Sequence, residues 1–338
     1  MDLNLIWFLL IVILLTGYAV LDGFDFGVGI LHLFTKDTHE RRININAIGP
    51  IWDGNEVWLL TGGGALFAAF PIVYATVFSG FYLALMLLLV ALIFRAVSIE
   101  FRGKVDNQKW VNVWDWAFGI GSLLPAILLG VAFGNILRGI PLDQNKLFTG
   151  SFLGLLNPYS ILIGVLTTVL FTMHGAIYLS LKTDGVQRDR AVKYARLCFG
   201  AFIILYAVST VSTVFAAPYL FEGITQKPLF WIFTLILLGS LLYLPVTLKK
   251  KKFSMSIVLS SLVIASILAL ASISLFPRLV PSITDLNNSL TIYNASSSSL
   301  TLSTMLIIAL IGMPLVIIYT FFIYRVFKGK VVISKDSY

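Results

Sequence analysis

The stretch Leu248-Lys249-Lys250-Lys251-Lys252-Phe253 decides how this chain folds, because it separates two long apolar runs, residues 228–248 and 254–278. Each run is long enough to cross the hydrocarbon layer of a bilayer, which takes about 20 apolar residues in a helix. Four consecutive lysines do not fit in that layer, and Lys and Arg collect in loops on the cytoplasmic side of membranes. The stretch therefore predicts a cytoplasmic turn between two antiparallel membrane-spanning helices.

Four further clusters of basic residues occur along the chain, and with the tetralysine turn they hold most of its 24 Lys and Arg residues. They follow every second apolar segment, and the intervening loops hold only isolated basic residues. The clusters are Lys36/Arg41/Arg42, Arg95/Arg102/Lys104/Lys109, Lys182/Arg188/Arg190/Lys193/Arg196 and Arg325/Lys328/Lys330/Lys335. This alternation predicts that all five clusters lie on the cytoplasmic side.

The alternation predicts an all-α integral membrane protein with nine transmembrane helices, the N-terminus outside and the C-terminus cytoplasmic. The predicted spans are 4–34, 50–70, 72–99, 111–138, 157–181, 192–217, 228–248, 254–278 and 300–327. Pro71 separates the second span from the third, since a helix does not continue undisturbed through proline. Merging these two spans is the alternative, and it would put the first two basic clusters on opposite sides of the membrane.

The spans suggest one polytopic domain over residues 1–338 with two similar halves. We expect a first four-helix bundle over 1–138, a second over 157–281, and a ninth, peripheral helix over 300–327. The external loop 279–299 is rich in Ser, Asn and Thr, which predicts an irregular, hydrated connection.

The composition excludes a water-soluble protein, because 58% of the residues are hydrophobic and only 12% are charged. The net charge of +8 is explained by the cytoplasmic clusters, which face anionic headgroups, so we expect membrane lipid and no nucleic acid as a partner. The start Met-Asp-Leu-Asn lacks a basic region, and the first apolar run is expected to remain as a helix. Cys198 stands alone in an apolar segment, which indicates a small buried hydrophobic residue.

Ionisable residues inside the predicted spans are the first candidates for function, because they are costly there. Asp22 and Asp25 are three residues apart and share one face of the first helix. In a dry setting both should not stay ionised without help, which suits proton handling. The alternative is a cap or an ion pair with a basic residue such as Arg95. Gly23, Gly27 and Gly29 are expected to let a neighbouring helix approach closely.

A second acidic pair opens the second span. Asp53 and Glu56 are again three residues apart, with Asn55 between them and Trp52 and Trp58 on either side. Capping and the helix dipole favour acids at this position, so a structural role is a strong alternative. Next to the first pair, however, these residues resemble the entrance of a proton path.

A third group, Trp114-Asp115-Trp116, begins the fourth span, and Arg95 and Glu100 lie near the end of the third. Tryptophan is common at membrane interfaces. We expect Asp115 to form an ion pair with a nearby Arg or Lys, and we treat Arg95, Glu100 and Asp115 as structural ion-pair candidates.

The histidines argue against haem ligation by this chain. Of His32, His39 and His174, only His174 lies well inside a predicted span. Haem iron is held by axial residues such as His or Met, and one deep histidine is too few for a carrier of several haems. A satisfied polar contact between helices is the favoured interpretation of His174. Metal, nucleotide and haem-attachment motifs are absent from the sequence, and no residue is predicted to be catalytic or a metal ligand.

These stretches together resemble subunit II of the cytochrome bd-type quinol oxidases. The resemblance covers essentially the whole chain and is densest in the first 160 residues. Its motifs are DGFDFG at 22–27, WDGNEVW at 52–58, GGGALFAAFP at 62–71, SGFY at 79–82, WDW at 114–116, GVAFGN at 130–135, NP at 157–158 and SLT at 299–301.

The resemblance implies a complex with a haem-bearing subunit I in the bacterial cytoplasmic membrane. In that family subunit I carries two b-type haems, the d-type haem and the quinol-oxidising loop, and oxygen is reduced to water with cytoplasmic protons. By similarity, Asp53 belongs to the proton route and Trp58 lies near an oxygen entrance, whereas a proton role for Asp22 and Asp25 stays open. The resemblance leaves open a structurally bound quinone, a small single-span accessory subunit, and the choice between ubiquinol and menaquinol.

Two other functions remain as alternatives. A proton-coupled multi-span transporter would also place acids inside the membrane, but it predicts broken helices at matching points of inverted repeats, and no internal symmetry is visible. A pure scaffold for subunit I differs from the favoured function only in whether the acids conduct protons.

Overall fold

The computed structural model describes residues 2–333, most of which are helical, so the all-α class is confirmed. The helices are α1 Leu3–Leu33, α2 Thr38–Ile48, α3 Trp52–Ala69, α4 Pro71–Gly80, α5 Tyr82–Phe101, α6 Gln108–Arg138, α7 Phe152–Leu155, α8 Pro158–Lys182, α9 Gly185–Ala216, α10 Pro228–Lys249, α11 Phe253–Leu275 and α12 Ser299–Val326. Short 3₁₀ turns lie at Pro218–Phe221, Ile224–Gln226 and Leu286–Asn288, and two short strands, β1 Arg278–Val280 and β2 Leu290–Thr291, pair antiparallel. Lys335 of the last basic cluster lies outside the described residues.

Within residues 2–333, eight helices are long and apolar enough to cross a membrane, namely α1, α5, α6 and α8 to α12. The pair α3–α4 passes the same test together, which allows up to nine spans. The chain bends by 119° between these two helices. The bend falls at Pro71, the first residue of α4, where the sequence predicts an interruption. The prediction of a continuous third span over 72–99 is wrong, because the backbone of Phe81 leaves the helical conformation and divides it into α4 and α5. The buried ring of Phe81 faces the core at this break.

The first helix is central, packing against α3, α6 and α8. A Cβ on Gly27 would lie 2.0 Å from the carbonyl oxygen of Phe171 on α8, and one on Gly29 would lie 1.9 Å from Ser122 Oγ on α6. The close approach predicted at these glycines is confirmed. Because α8 packs against both α1 and α6, helices of the two predicted bundles contact each other extensively, and the division into two bundles stays a prediction.

The loops predicted to be external form an ordered layer, which differs from the irregular connection predicted for 279–299. Besides the β1–β2 pairing, Ile140 N–H donates to Pro281 O over 3.0 Å and Ile283 N–H donates to Ile140 O over 3.1 Å. Leu290 and Ile292 are fully buried there. Apolar residues interspersed among the polar ones supply a small core that composition alone did not reveal.

The last helix, α12, lies at the periphery and touches α3 and α1. Its most apolar stretch buries no residue within this chain. After α12, the chain returns to the turn between α8 and α9, where Lys182 Nζ donates to Phe327 O over 2.5 Å and Val331 N–H donates to Lys182 O over 2.9 Å.

Candidate functional site

Two completely buried carboxyl groups lie on α1. Asp22 and Asp25 each have a relative exposure of 0%. The helix continues to Leu33, so Asp22 lies about 16 Å from its end at 1.5 Å per residue. A carboxyl group at such depth is costly unless polar partners surround it, and the neighbouring helices supply those partners.

Arg95 of α5 joins the two acidic pairs that the sequence singled out. Its Nη2 donates to Asp22 Oδ1 over 2.6 Å and to Glu56 Oε1 over 2.8 Å. Arg95 is fully buried, and its guanidinium carbon lies 4.4 Å from the centre of the Phe26 ring, a cation–π contact that adds to its stabilisation. Asp22 therefore forms the ion pair with Arg95 that is the structural alternative to a proton role.

Asp25 is bound from α3. Asn55 Nδ2 donates to Asp25 Oδ2 over 2.7 Å, and Asn55 Oδ1 accepts a hydrogen bond of 3.0 Å from the hydroxyl of Tyr324 on α12. Asn55 Nδ2 also lies 3.3 Å from Leu21 O. The amide therefore connects three helices, and the chain of groups from α1 reaches the peripheral helix.

The charges of this cluster do not balance. Asp22, Asp25 and Glu56 surround the single guanidinium of Arg95. Like charges in a medium of low dielectric constant repel strongly, and buried carboxylates beyond the number of available cations are costly. The arrangement is thus one in which carboxyl groups can hold and exchange protons.

Several buried polar atoms in the cluster have no hydrogen-bond partner among residues 2–333. Buried atoms of this kind usually bind water, so they offer hydrogen-bonding positions for water molecules between the carboxyl groups. The atoms are Tyr18 Oη, Asp22 Oδ2, Asp25 Oδ1, Trp58 Nε1, Arg95 Nε and Arg95 Nη1.

Asp53 lies at the exposed edge of this cluster. It is in the first turn of α3, and its side chain does not cap the helix, since Ile51 occupies the cap position without a side-chain hydrogen bond. Capping, the structural alternative considered for this acid, is therefore not what the geometry shows. Glu56 is one turn further, partly exposed at 24% of its side-chain surface, and already bound to Arg95. The two acids lead from the surface of the chain to its buried centre.

A second polar cluster surrounds Asp115 on α6. Arg102 Nε donates to Asp115 Oδ1 over 2.5 Å, Arg41 Nη1 donates to Asp115 Oδ2 over 3.0 Å, and His32 Nε2 lies 2.8 Å from Asp115 Oδ1. Asp115 has the basic partners expected from the sequence. Glu100, by contrast, is exposed and belongs to none of the ion pairs found in residues 2–333.

His174 and Trp58 are held by contacts within the chain. His174 Nδ1 lies 2.7 Å from Ser260 Oγ and His174 Nε2 lies 3.0 Å from Val20 O, so both ring nitrogens have partners. This geometry does not fit an axial haem ligand, and residues 2–333 contain no group of three or more His, Cys, Asp or Glu able to hold a metal ion. Trp58 packs over Gly17, where a Cβ would lie 2.3 Å from the indole ring.

The sequence missed several members of these clusters. Tyr18 and Tyr324 line the first cluster, and His32 and Arg41 bind Asp115 in the second. Tyr324 is 269 residues from its partner Asn55, and no local pattern indicates such a contact. His32 gave a weak signal, because it lies seven residues after Asp25 and thus on the same face of α1.

The chain matches the family described as "Cytochrome bd terminal oxidase subunit II" over residues 3–327. It is 39% identical to "Cytochrome bd-I ubiquinol oxidase subunit 2" of Escherichia coli, covering 97% of this chain and 95% of the relative. It is 40% identical to "Cytochrome bd ubiquinol oxidase subunit 2" of Bacillus subtilis, covering 98% and 97%. Its fold resembles a chain of the bd oxidase structure from Geobacillus thermodenitrificans, with a TM-score of 0.77, 18% identity, and coverage of 97% and 99%.

That solved structure supports the fold alone, because its identity to this chain is low. The sequence relatives and the family match extend over nearly the whole chain. The chain therefore belongs to the cytochrome bd terminal oxidase subunit II family and is a subunit of a membrane-bound oxidoreductase complex.

Proposed function

We propose that this chain is the non-haem-ligating subunit of a quinol oxidase in the bacterial cytoplasmic membrane, and that its buried acidic cluster carries cytoplasmic protons. The complex would reduce oxygen to water with electrons from quinol. The observation that carries the proton role is the series Asp53, Glu56 and Asp22, which runs from an exposed position to a fully buried carboxyl beside Arg95.

Each step of this route rests on a contact or a spacing. Asp53 and Glu56 share a face of α3, with Cβ atoms about 5–6 Å apart at this spacing. Glu56 and Asp22 accept from the same nitrogen of Arg95. Their unpartnered oxygens and the nearby Tyr18 hydroxyl provide hydrogen-bonding positions for water, through which a proton can pass between groups that are not in direct contact.

Arg95 is the electrostatic centre of the route. Its buried positive charge stabilises one ionised carboxylate in the interior. A proton can then pass from a neighbouring protonated carboxyl group to that carboxylate without changing the net charge of the cluster. Asn55 holds Asp25 at a fixed distance from this centre. Arg95 and Asn55 are thus positioning residues, whereas Asp53, Glu56, Asp22 and Asp25 are the proton-carrying candidates.

The outer face of α3 supports a role in binding the haem-bearing subunit I. Exposed residues recur at intervals of three or four along it, which is the spacing of a helix–helix seam. The Asp53 carboxyl group on this face would be costly against lipid, which favours a protein partner there. Gly64 on the same face would allow a helix of that partner to approach closely. The residues are Asp53, Val57, Leu60, Gly64 and Phe67.

Oxygen access, the cofactors and further partners complete the proposal. Trp58 lies half-buried between the α3 face and α1, where a flat apolar ring can border a path for a small apolar molecule such as oxygen.

The b-type and d-type haems and the quinol site would lie on subunit I, because the histidine geometry here does not fit haem ligation. A structural quinone and a small single-span accessory subunit are compatible with the large exposed apolar faces.

The test is the variant Asp53→Asn in the purified complex, with Asp106→Asn as a control. Both residues are exposed acids in the predicted cytoplasmic region, and only Asp53 begins the route. We expect both variants to assemble with the parental haem content, and only Asp53→Asn to lose most of its quinol-dependent oxygen consumption. Parental turnover of Asp53→Asn across the working pH range would instead support the scaffold function.

A further inference from the structure

A cleft opens between α9 and α10 at the basic ends of these helices. Its volume is about 360 Å³, and it is lined by Arg196 and Phe199 of α9 and by Pro245, Leu248 and Lys249 of α10. Two cationic side chains thus lie at the mouth of a space whose other lining residues are apolar.

The cleft exists because α9 and α10 pack on different neighbours. The first packs along α8 and the second along α11, while α9 and α10 touch each other only slightly. Gly200, one turn beyond Arg196, has open space around the position of a Cβ. Nothing in residues 2–333 fills this space, and two of its lining residues, Arg196 and Lys249, are exposed at the surface of the chain.

The cations at the cleft are poorly neutralised, in contrast to their neighbours. Arg190 pairs with Glu40, and Lys251 Nζ lies 3.9 Å from Asp189 Oδ1. Within the described residues, Arg196 has only a long contact of 3.5 Å from Nη2 to Leu248 O, and Lys249 takes part in no ion pair. The remaining guanidinium and ammonium donors are free to bind an anion.

Apolar residues continue the cleft toward the membrane interior. Ile203 follows Phe199 by one helical turn on α9, and Leu242 and Leu238 precede Pro245 by one and two turns on α10. All three are exposed, Leu242 by 78% of its surface. A ligand that fills the whole feature therefore has an anionic head and an apolar tail.

We propose that this cleft is a specific site for an anionic glycerophospholipid, with its phosphate bound by Arg196 and Lys249 and an acyl chain along the apolar groove. Basic pockets between membrane helices bind anionic headgroups in this way. The guanidinium can hold phosphate through two parallel hydrogen bonds, and the lysine adds a point charge. Binding would join α9 to α10 at a place where the helices themselves leave a gap.

The test measures binding of dioleoylphosphatidylglycerol to the detergent-purified complex by native mass spectrometry at fixed ionic strength. We compare the parental complex with the double variant Arg196→Gln/Lys249→Gln. Each cation near an anionic surface contributes about fivefold to affinity, so the variant should bind this lipid roughly 30-fold more weakly. Binding of dioleoylphosphatidylcholine should change little.

The matched control is Lys250→Gln/Lys252→Gln, which removes the same total charge, all of it from the tetralysine turn, without changing a residue of the cleft lining. Equal weakening in both double variants would show diffuse attraction to the basic turn and overturn the site. Displacement of the lipid by inorganic phosphate at millimolar concentration would show that the cleft binds phosphate alone and overturn the lipid assignment.

A measurement on the parental complex keeps the proposal testable if a variant does not assemble. Phosphatidylglycerol with a photoactivatable group on its acyl chain should crosslink to α9 or α10 near Ile203 and Leu242. Crosslinks confined to other helices would overturn the proposal.

Discussion

Arg95 Nη2 lies 2.6 Å from Asp22 Oδ1, and both side chains are completely buried. Removing two charges from water costs several kcal/mol per ion, and their attraction offsets this only with good geometry and further hydrogen bonds. Here the same nitrogen also binds Glu56, while Arg95 Nε and Nη1 have no partner in the part of the chain that the structure describes. The pair is therefore held at a cost in stability that a purely structural contact would not require.

The first prediction concerns this pair. Arg95→Gln should leave three carboxyl groups without a cation and destabilise the assembled complex, with a loss on the order of 3–5 kcal/mol for breaking a buried pair. The double variant Asp22→Asn/Arg95→Gln should recover part of this loss, because the Asn and Gln side chains that replace the ion pair are both neutral. The yield and the inactivation temperature of the purified complex measure both effects. If the double variant is as unstable as the sum of the single variants, the two side chains are not coupled.

The second prediction concerns the contact between α1 and α8. Gly27→Ala should sharply reduce assembly, because its Cβ would lie 2.0 Å from the backbone oxygen of Phe171, and backbone cannot move aside as a flexible side chain can. Gly239→Ala on α10 is the control, since it has open space around its Cβ and alanine favours the helix by about 0.5–1 kcal/mol. The measurement is the yield of assembled complex in the membrane for each of the two variants. Equal yields for the two variants would show that α1 and α8 are further apart than described.

A third prediction separates haem ligation from packing at His174. His174→Gln retains an amide that can donate to Val20 O and accept from Ser260 Oγ, so the complex should assemble with the parental ratio of haem to protein. His174→Ala loses both hydrogen bonds and should lower stability, by about 1 kcal/mol for each bond lost, without removing a haem signal. Loss of one haem absorption band from a normally assembled complex would make His174 a ligand.

The fourth prediction is topological. Reporter fusions after Lys36, Lys104, Lys182 and Lys252 should be cytoplasmic, as should one after Lys335, which lies outside the described residues. Fusions near Asp143, Glu222 and Asn288 should be external. One reversed position would contradict the nine-span arrangement and move the acidic clusters to the wrong side for cytoplasmic proton uptake.

Patterns of short range made much of this molecule predictable. The spacing of Asp22 and Asp25 put both on one helix face, and the glycines after them indicated a close helix contact, because both features depend on a few consecutive residues. The contact between Asn55 and Tyr324 was not predictable, since it depends on where a distant helix packs. The division at Phe81 was missed because the apolar pattern runs through it: Ser79 and Gly80 interrupt that pattern only briefly, and Gly80 is the last residue of α4.

The last prediction tests the inner part of the proton route through Glu56. Glu56→Gln is nearly isosteric, and its amide oxygen can still accept the hydrogen bond from Arg95 Nη2. What it loses is the titratable group between Asp53 and Asp22, and the removal of a positioned acid–base group costs on the order of 10²-fold or more in rate.

We expect the Glu56→Gln complex to keep its haem content and lose oxygen consumption with quinol by at least about tenfold, since water can partly replace the missing group. Glu222→Gln, an exposed acid in the predicted external region, is the matched control and should retain the parental rate. Proton uptake from the interior of proteoliposomes should fall in parallel with oxygen consumption. If Glu56→Gln consumes oxygen at the parental rate, protons reach Asp22 by a path that does not include Glu56, and Glu56 serves only to anchor Arg95.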